Sequence, residues 1–119
     1  MKNVLIVDDY MEMVDLISDI LEPLDIEIDK AYNGKQAFEK LLDKEYALVI
    51  TDNNMPVLSG LSLIENSKKI GISCKFLLIT ADSMIDVYRN ITPENKPDSF
   101  LSKPFLTHML FNIVEQLLE

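Results

Sequence analysis

"LVITDNNMP", residues 48–56, passes through Leu48, Val49, Ile50 and Thr51 and then breaks, without transition, into an acid and two amides at Asp52, Asn53 and Asn54. A run without polar alternation suits a strand covered on both faces, as in a parallel sheet. An aspartate at its end could do no more than start a turn, because Asp and Asn side chains readily bond nearby backbone groups. Its meaning depends on what else arrives at the same place.

Apolar runs occur at Val4–Val7, Ala47–Ile50 and Phe76–Ile79, with weaker strand candidates at Ile26–Lys30 and Ser99–Ser102. Between them lie helical periods. Met13, Leu16, Ile17, Ile20 and Leu21 fall at helical spacing before Pro23, and Ala37, Phe38, Leu41 and Leu42 mark a second helix. A third is predicted from about Gly60 to Lys69, a shorter one around Asp82–Ile91, and a last one carrying Met109, Leu110, Ile113, Val114, Leu117 and Leu118. The order strand–helix, five times over, predicts an α/β fold: a three-layer α/β/α sandwich on a five-stranded parallel sheet. The commonest five-stranded arrangement is the flavodoxin-like order 2-1-3-4-5, which sets strands 1 and 3 side by side where ligands bind beyond the carboxyl ends.

Composition narrows the function. The chain has 119 residues, 48% of them apolar, and shows no repeat or linker, so it reads as one domain over residues 1–119. Its apolar runs are too short to span a bilayer and its start lacks a signal-peptide pattern, which predicts a cytoplasmic protein with no membrane contact. The single Cys74 reads as a small core residue. Net charge is −9, with nine acids against Lys2 and Lys30 in residues 1–30 and one arginine, Arg89, in the whole chain. Direct nucleic-acid binding is disfavoured, since phosphate contacts need clustered Lys and Arg. Acidic surfaces suit cations and basic partners, although most of these acids simply solvate helix faces.

Just beyond the strands come Asp8 and Asp9, Asp52, Thr80 and Lys103. The topology brings all five to one edge. Two like charges about 4 Å apart repel by roughly 4 kcal/mol at an effective dielectric near 20, so three carboxylates there demand positive charge. Lys103 offsets one, and hard oxygen ligands without a Cys/His cluster describe Mg²⁺ better than zinc. Cation, lysine and threonine hydroxyl together make a site for a phosphoryl group, with Thr80 as hydrogen-bond donor and Ala81 leaving space. A carboxylate is the competent nucleophile at neutral pH, because no histidine is placed to activate a hydroxyl. His108, the only histidine, reads as a surface residue near the start of the last helix.

With "VLIVDD" at 4–9, "LVITDNNMPVLSG" at 48–60, "LLITA" at 77–81 and "FLSKPF" at 100–105, the sequence resembles the receiver domain of two-component response regulators across essentially its whole length. The resemblance implies that Asp52 is the phosphoryl acceptor. It implies a Mg²⁺ (or Mn²⁺) site made by Asp8, Asp9, Asp52 and Asn54, with Asp9 a direct ligand, Asp8 acting through water and the Asn54 backbone carbonyl completing the site. Thr80 and Lys103 would contact the phosphoryl group, Thr80 and Phe100 would form the switch, and Asn54 and Asp82 would tune the phosphoryl lifetime. The Lys103–Pro104 peptide would be cis, a form that proline tolerates. Partners would be a sensor histidine kinase or histidine phosphotransfer protein and a downstream protein on the face formed by the fourth helix, fifth strand and fifth helix. The chain would act as a monomer or a phosphorylation-dependent dimer, and it would catalyse only its own phosphorylation and dephosphorylation.

Some features depart from the pattern. "NITPENKPDSF", residues 90–100, lacks the small Ala/Gly-rich turn usual before the fifth strand, and Phe100 has no hydroxyl for a partner that needs a tyrosine. No output domain is expected in this chain, which reads either as a stand-alone receiver or as a piece of a longer protein. The alternative function is a pseudo-receiver, an interaction module that works without phosphorylation; retention of every acid, hydroxyl and lysine position argues against it. A phosphohydrolase with an aspartyl-phosphate intermediate would want a second acid two residues after the nucleophile, where Asn54 stands. Nucleotide or flavin binding would want a Gly-rich or hydroxyl-rich loop after the first strand, where "DDYMEM" places acids.

Overall fold

The computed structural model describes residues 1–119. Ten elements alternate along the chain: β1 Lys2–Val7, α1 Met11–Leu21, β2 Ile26–Ala31, α2 Gly34–Asp43, β3 Leu48–Asp52, α3 Gly60–Lys69, β4 Lys75–Thr80, α4 Met84–Asn90, β5 Ser99–Ser102 and α5 Thr107–Leu117. All strand pairs are parallel and the sheet order is β2-β1-β3-β4-β5, the expected flavodoxin-like arrangement. Parallel pairing forces each connection to cross back over a face of the sheet, so every strand ends at the same edge.

Alternation along the strands splits the interior in two. Leu5, Val7, Val49, Phe76 and Leu78 pack on one face with Ala37, Leu41, Leu61, Leu63, Ile64 and Val87 of α2, α3 and α4. On the other face Val4, Ile6, Leu48, Ile50, Leu77 and Ile79 meet Val14, Ile17, Leu21, Leu110 and Val114 of α1 and α5. Each fully buried aliphatic of this kind contributes about 1.5–3 kcal/mol relative to exposure. Cys74 is half-buried against the first of these clusters, as a small packing residue, and burial pushes its thiol pKa up to about 12, with the Asp98 charge adding to the rise.

Local chemistry sets the helix starts. The Asn33 side chain accepts from the Gln36 N–H at 2.8 Å, Ser59 from Ser62 and Ser83 from Asp86, each satisfying a donor that the first helical turn leaves free. Several boundaries differ by a residue or two from the sequence reading, and two of them bear on the site. β3 runs on to Asp52, because its ladder with β4 continues to the Asp52–Ile79 pair. α4 is confined to Met84–Asn90: Ser83 caps its start, and the Asn95 side chain donates to the Asn90 carbonyl at 3.0 Å just beyond its end.

The connection into β5 solves in its own way the lack of a small turn. Asp98 N–H donates to the Phe76 carbonyl at 2.9 Å, while Asp98 Oδ2 accepts from the Phe76 N–H at 2.8 Å. One residue thereby supplies both donor and acceptor to the start of β4.

Candidate functional site

β1 and β3 are neighbours, with Val7 opposite Thr51. The residues that follow, Asp8 and Asp9 on one side and Asp52 on the other, reach carboxylate oxygens that all lie within 4.8 Å of one another. Asp8 and Asp52 are buried, at 2% and 7% exposure, and Asp9 is exposed. Asp8 is fixed from both ends: its N–H donates to the Ala31 carbonyl, and its Oδ1 accepts from the Tyr10 N–H at 3.0 Å.

Lys103 enters this cluster from β5. Its ammonium lies 2.9 Å from Asp8 Oδ2 and 3.4 Å from Asp52 Oδ1. Its backbone N–H donates to the Thr80 carbonyl at 2.8 Å, and the Lys103–Pro104 peptide is cis. Burial opposes the lysine charge, but the hydrogen bonds and charges of Asp8 and Asp52 outweigh it and raise the Lys103 pKa. For Asp52 the balance tips the other way: burial raises its pKa, against the pull of the Lys103 charge, with Asp8 adding repulsion. The acid is under-solvated and only partly neutralised.

Thr80, fully buried at the end of β4, accepts the Asp82 N–H on its hydroxyl oxygen at 3.1 Å, so its own proton is not taken up by that bond. Asn54 and Asp82, from the loops after β3 and β4, are joined directly, Nδ2 to Oδ1 at 2.8 Å. Phe100 lies apart from the carboxylates. It is half-buried, opposite Leu78 in the ladder, and meets the Tyr88 ring of α4 edge-on at 5.7 Å between centroids. His108 is exposed on α5.

The structure thus brings Asp8, Asp9, Asp52 and Lys103 into one cluster and places Thr80 beside it through the Lys103 backbone. Two features escaped the sequence reading. Tyr88 as the neighbour of Phe100 has no signature in a short amphipathic helix. Thr51, whose buried hydroxyl donates to the Asp52 carbonyl at 2.9 Å, reads in sequence as just another β-branched strand residue.

Three carboxylates with neither Cys nor His among them form a hard-oxygen donor set, which fits a magnesium-type ion. A doubly wound sheet with acids and one half-buried lysine at its carboxyl edge is an α/β domain whose site suits a cation. Comparison with known proteins makes this specific: the response regulator receiver domain family matches residues 4–115, and the chain belongs to that family. It is a receiver domain of the two-component systems, a regulatory domain and not an enzyme of the ordinary kind.

The chain is 33% identical over 105 residues to the transcriptional regulatory protein CpxR homolog of Haemophilus influenzae, matching 88% of its own length and 45% of that protein's. It is 27% identical to the response regulator receiver protein CpdR of Brucella abortus, over 99% of this chain and 98% of that one. The chain therefore spans less than half of the first relative and nearly all of the second. Among solved structures it is similar to the response regulator TrrA of Thermotoga maritima in complex with Mg²⁺-BeF, with a TM-score of 0.85 and 34% identity, covering 98% of this chain and 99% of that one.

Proposed function

We propose that the domain is a phosphorylation-controlled switch in which Asp52 accepts a phosphoryl group. The observation that carries this reading is Lys103, poised between the Asp8 and Asp52 carboxylates at the end of four parallel strands. An Asp52 carboxylate oxygen attacks phosphorus; the new O–P bond forms as the bond to the donor breaks, and the electron pair leaves with the donor's nitrogen or oxygen. Lys103 offsets charge developing on the phosphoryl oxygens, and the Thr80 hydroxyl donates to one of them. Mg²⁺, or Mn²⁺ in its place, held by Asp9, Asp52, the Asn54 carbonyl and, through water, Asp8, supplies further positive charge when bound. That TrrA is similar and takes Mg²⁺-BeF supports the metal assignment.

The donor is a sensor histidine kinase or histidine phosphotransfer protein, and the setting is the cytoplasm. Residues 1–119 act as one receiver unit. An aspartyl phosphate adds up to about two negative charges at the strand ends. Thr80 answers that charge, Phe100 exchanges its contact with Tyr88 for the interior, and the α4–β5–α5 face presents the result to a downstream protein or a second copy. The Asn54–Asp82 bond lies on the two loops flanking the acceptor, where it governs how long the phosphoryl group survives.

The test is intact-protein mass after incubation with acetyl phosphate, with and without Mg²⁺, on the wild type and on Asp52→Asn. The expected result is a Mg²⁺-dependent gain of one phosphoryl group in the wild type and none in the variant. Uptake that persists in Asp52→Asn would overturn the acceptor assignment. If the wild type takes up nothing and beryllofluoride leaves its spectrum unchanged, the chain is a pseudo-receiver.

A further inference from the structure

Thr51 is fully buried on the α2–α3–α4 side of the sheet, following Val49 on that face. Burying a hydroxyl carries a desolvation cost that valine would not, so apolar packing alone does not account for a threonine there. Its hydroxyl donates to the Asp52 carbonyl oxygen at 2.9 Å. That same oxygen is pressed from outside by the start of α3: a Cβ on Gly60 would stand 2.4 Å from it.

The other end of this peptide group is the Asn53 N–H. The plane of this peptide is set by the ψ angle of Asp52, the residue whose side chain bears the acceptor carboxylate. Asn53 is also tied to α3, its carbonyl accepting from Gly60 N–H at 3.0 Å and its Oδ1 from Leu61 N–H at 3.1 Å. A peptide group is planar and stiff, so holding its oxygen decides where its N–H points.

We propose that Thr51 is a positioning residue for phosphoryl acceptance, its hydroxyl setting the Asp52–Asn53 peptide plane and, through it, the aim of the acceptor carboxylate. The kinetic half of this inference rests on the proposed role of Asp52. The experiment compares wild type, Thr51→Val and Thr51→Ser. Thr51→Val keeps the shape and removes the donor; Thr51→Ser keeps the donor and trims a methyl group. Two quantities are read: the rate of phosphoryl uptake from acetyl phosphate in saturating Mg²⁺, and the Asn53 amide resonance in a ¹H–¹⁵N spectrum of the unphosphorylated chain.

In Thr51→Val, uptake is expected to slow roughly tenfold, as misaimed reacting groups do, with the Asn53 amide proton shifted. In Thr51→Ser both stay at the wild-type value. Equal uptake in wild type and Thr51→Val, or equal losses in the two variants, overturns the proposal. If wild type and Asp52→Asn take up phosphoryl groups alike, it is the reading of Asp52 that fails. The amide then decides for the hydroxyl alone: a shift in Thr51→Val that Thr51→Ser does not show supports its hold on the peptide, and an unmoved resonance removes it.

Discussion

Val57 sits at the apex of the loop between β3 and α3 with φ +74 and 89% of its surface exposed. Leu58 N–H reaches back over it to the Pro56 carbonyl at 2.8 Å, which makes a strained three-residue γ-turn. Left-handed backbone costs an L-residue about 1–2 kcal/mol, and a β-branched side chain is among the least suited to it. With so little of the valine buried, packing does not offset that cost. Val57→Gly is therefore expected to raise the unfolding free energy by about 1 kcal/mol, even after the greater freedom of glycine in the unfolded chain is counted. The measurement is a urea titration, where the midpoint should rise at unchanged slope; a fall would mean that the valine side chain holds the loop. At this scale the sequence was readable where position alone decides. Asp8, Asp9, Asp52 and Lys103 could be assigned to one edge because each sits at or just beyond the end of a strand that the topology locates. The Asn54–Asp82 bond and the Thr51 hydroxyl could not, since both depend on loop paths and single-atom directions that periodicity does not encode.

Between elements, the edge strand β2 is fastened to the chain between α2 and β3 by three side chains. Asp29 Oδ2 accepts from the Tyr46 hydroxyl at 2.6 Å and from the Lys44 ammonium at 2.9 Å, and Lys44 also lies over the Tyr46 ring. Tyr46 is only 6% exposed, so its hydroxyl depends on this partner. Burial pushes the Asp29 pKa up, but the bonds from Tyr46 and Lys44 prevail and hold it below its ordinary value of 3.8. A depressed carboxylate contributes stability above its unfolded pKa and loses it as pH falls through the folded one. Tyr46→Phe is accordingly expected to cost about 1.5 kcal/mol near pH 7, the worth of a hydrogen bond to a charged group, with the gap to wild type narrowing below about pH 4. Denaturation across that pH range checks it, and a gap independent of pH would assign the loss to packing. The existence and type of all ten elements were legible in apolar runs and helical spacing. Their ends were less so: α4 is stopped by the Asn95 side chain, five residues beyond its last turn, and the entry to β5 is shaped by Asp98 substituting for a turn that "NITPENKPDSF" does not spell.

For the whole molecule, the carboxylate cluster sets crowded negative charge against the stability supplied by two apolar layers. A cation that binds the folded state alone shifts the unfolding equilibrium by mass action. Mg²⁺ at about ten times its dissociation constant is expected to raise the thermal midpoint by about 5 °C. Asp9→Asn, altering the exposed member of the cluster, should lose most of that rise; an equal rise in both proteins would place the bound ion elsewhere. The same architecture bears on how the chain tolerates change. Its two apolar layers share no side chain, because the sheet lies between Val49 and Leu63 on one side and Ile50 and Ile17 on the other. Substitutions far apart without common neighbours add, whereas those in contact couple. Compensating pairs should consequently arise within a layer and seldom across the sheet, so each layer can drift or be redesigned while the other stands still. The exception is the rim beyond the strand ends, where the Asp52 peptide answers to Thr51 and Gly60 on one side while its carboxylate answers to Asp8 and Lys103 on the other, and where a change on either face is felt by both.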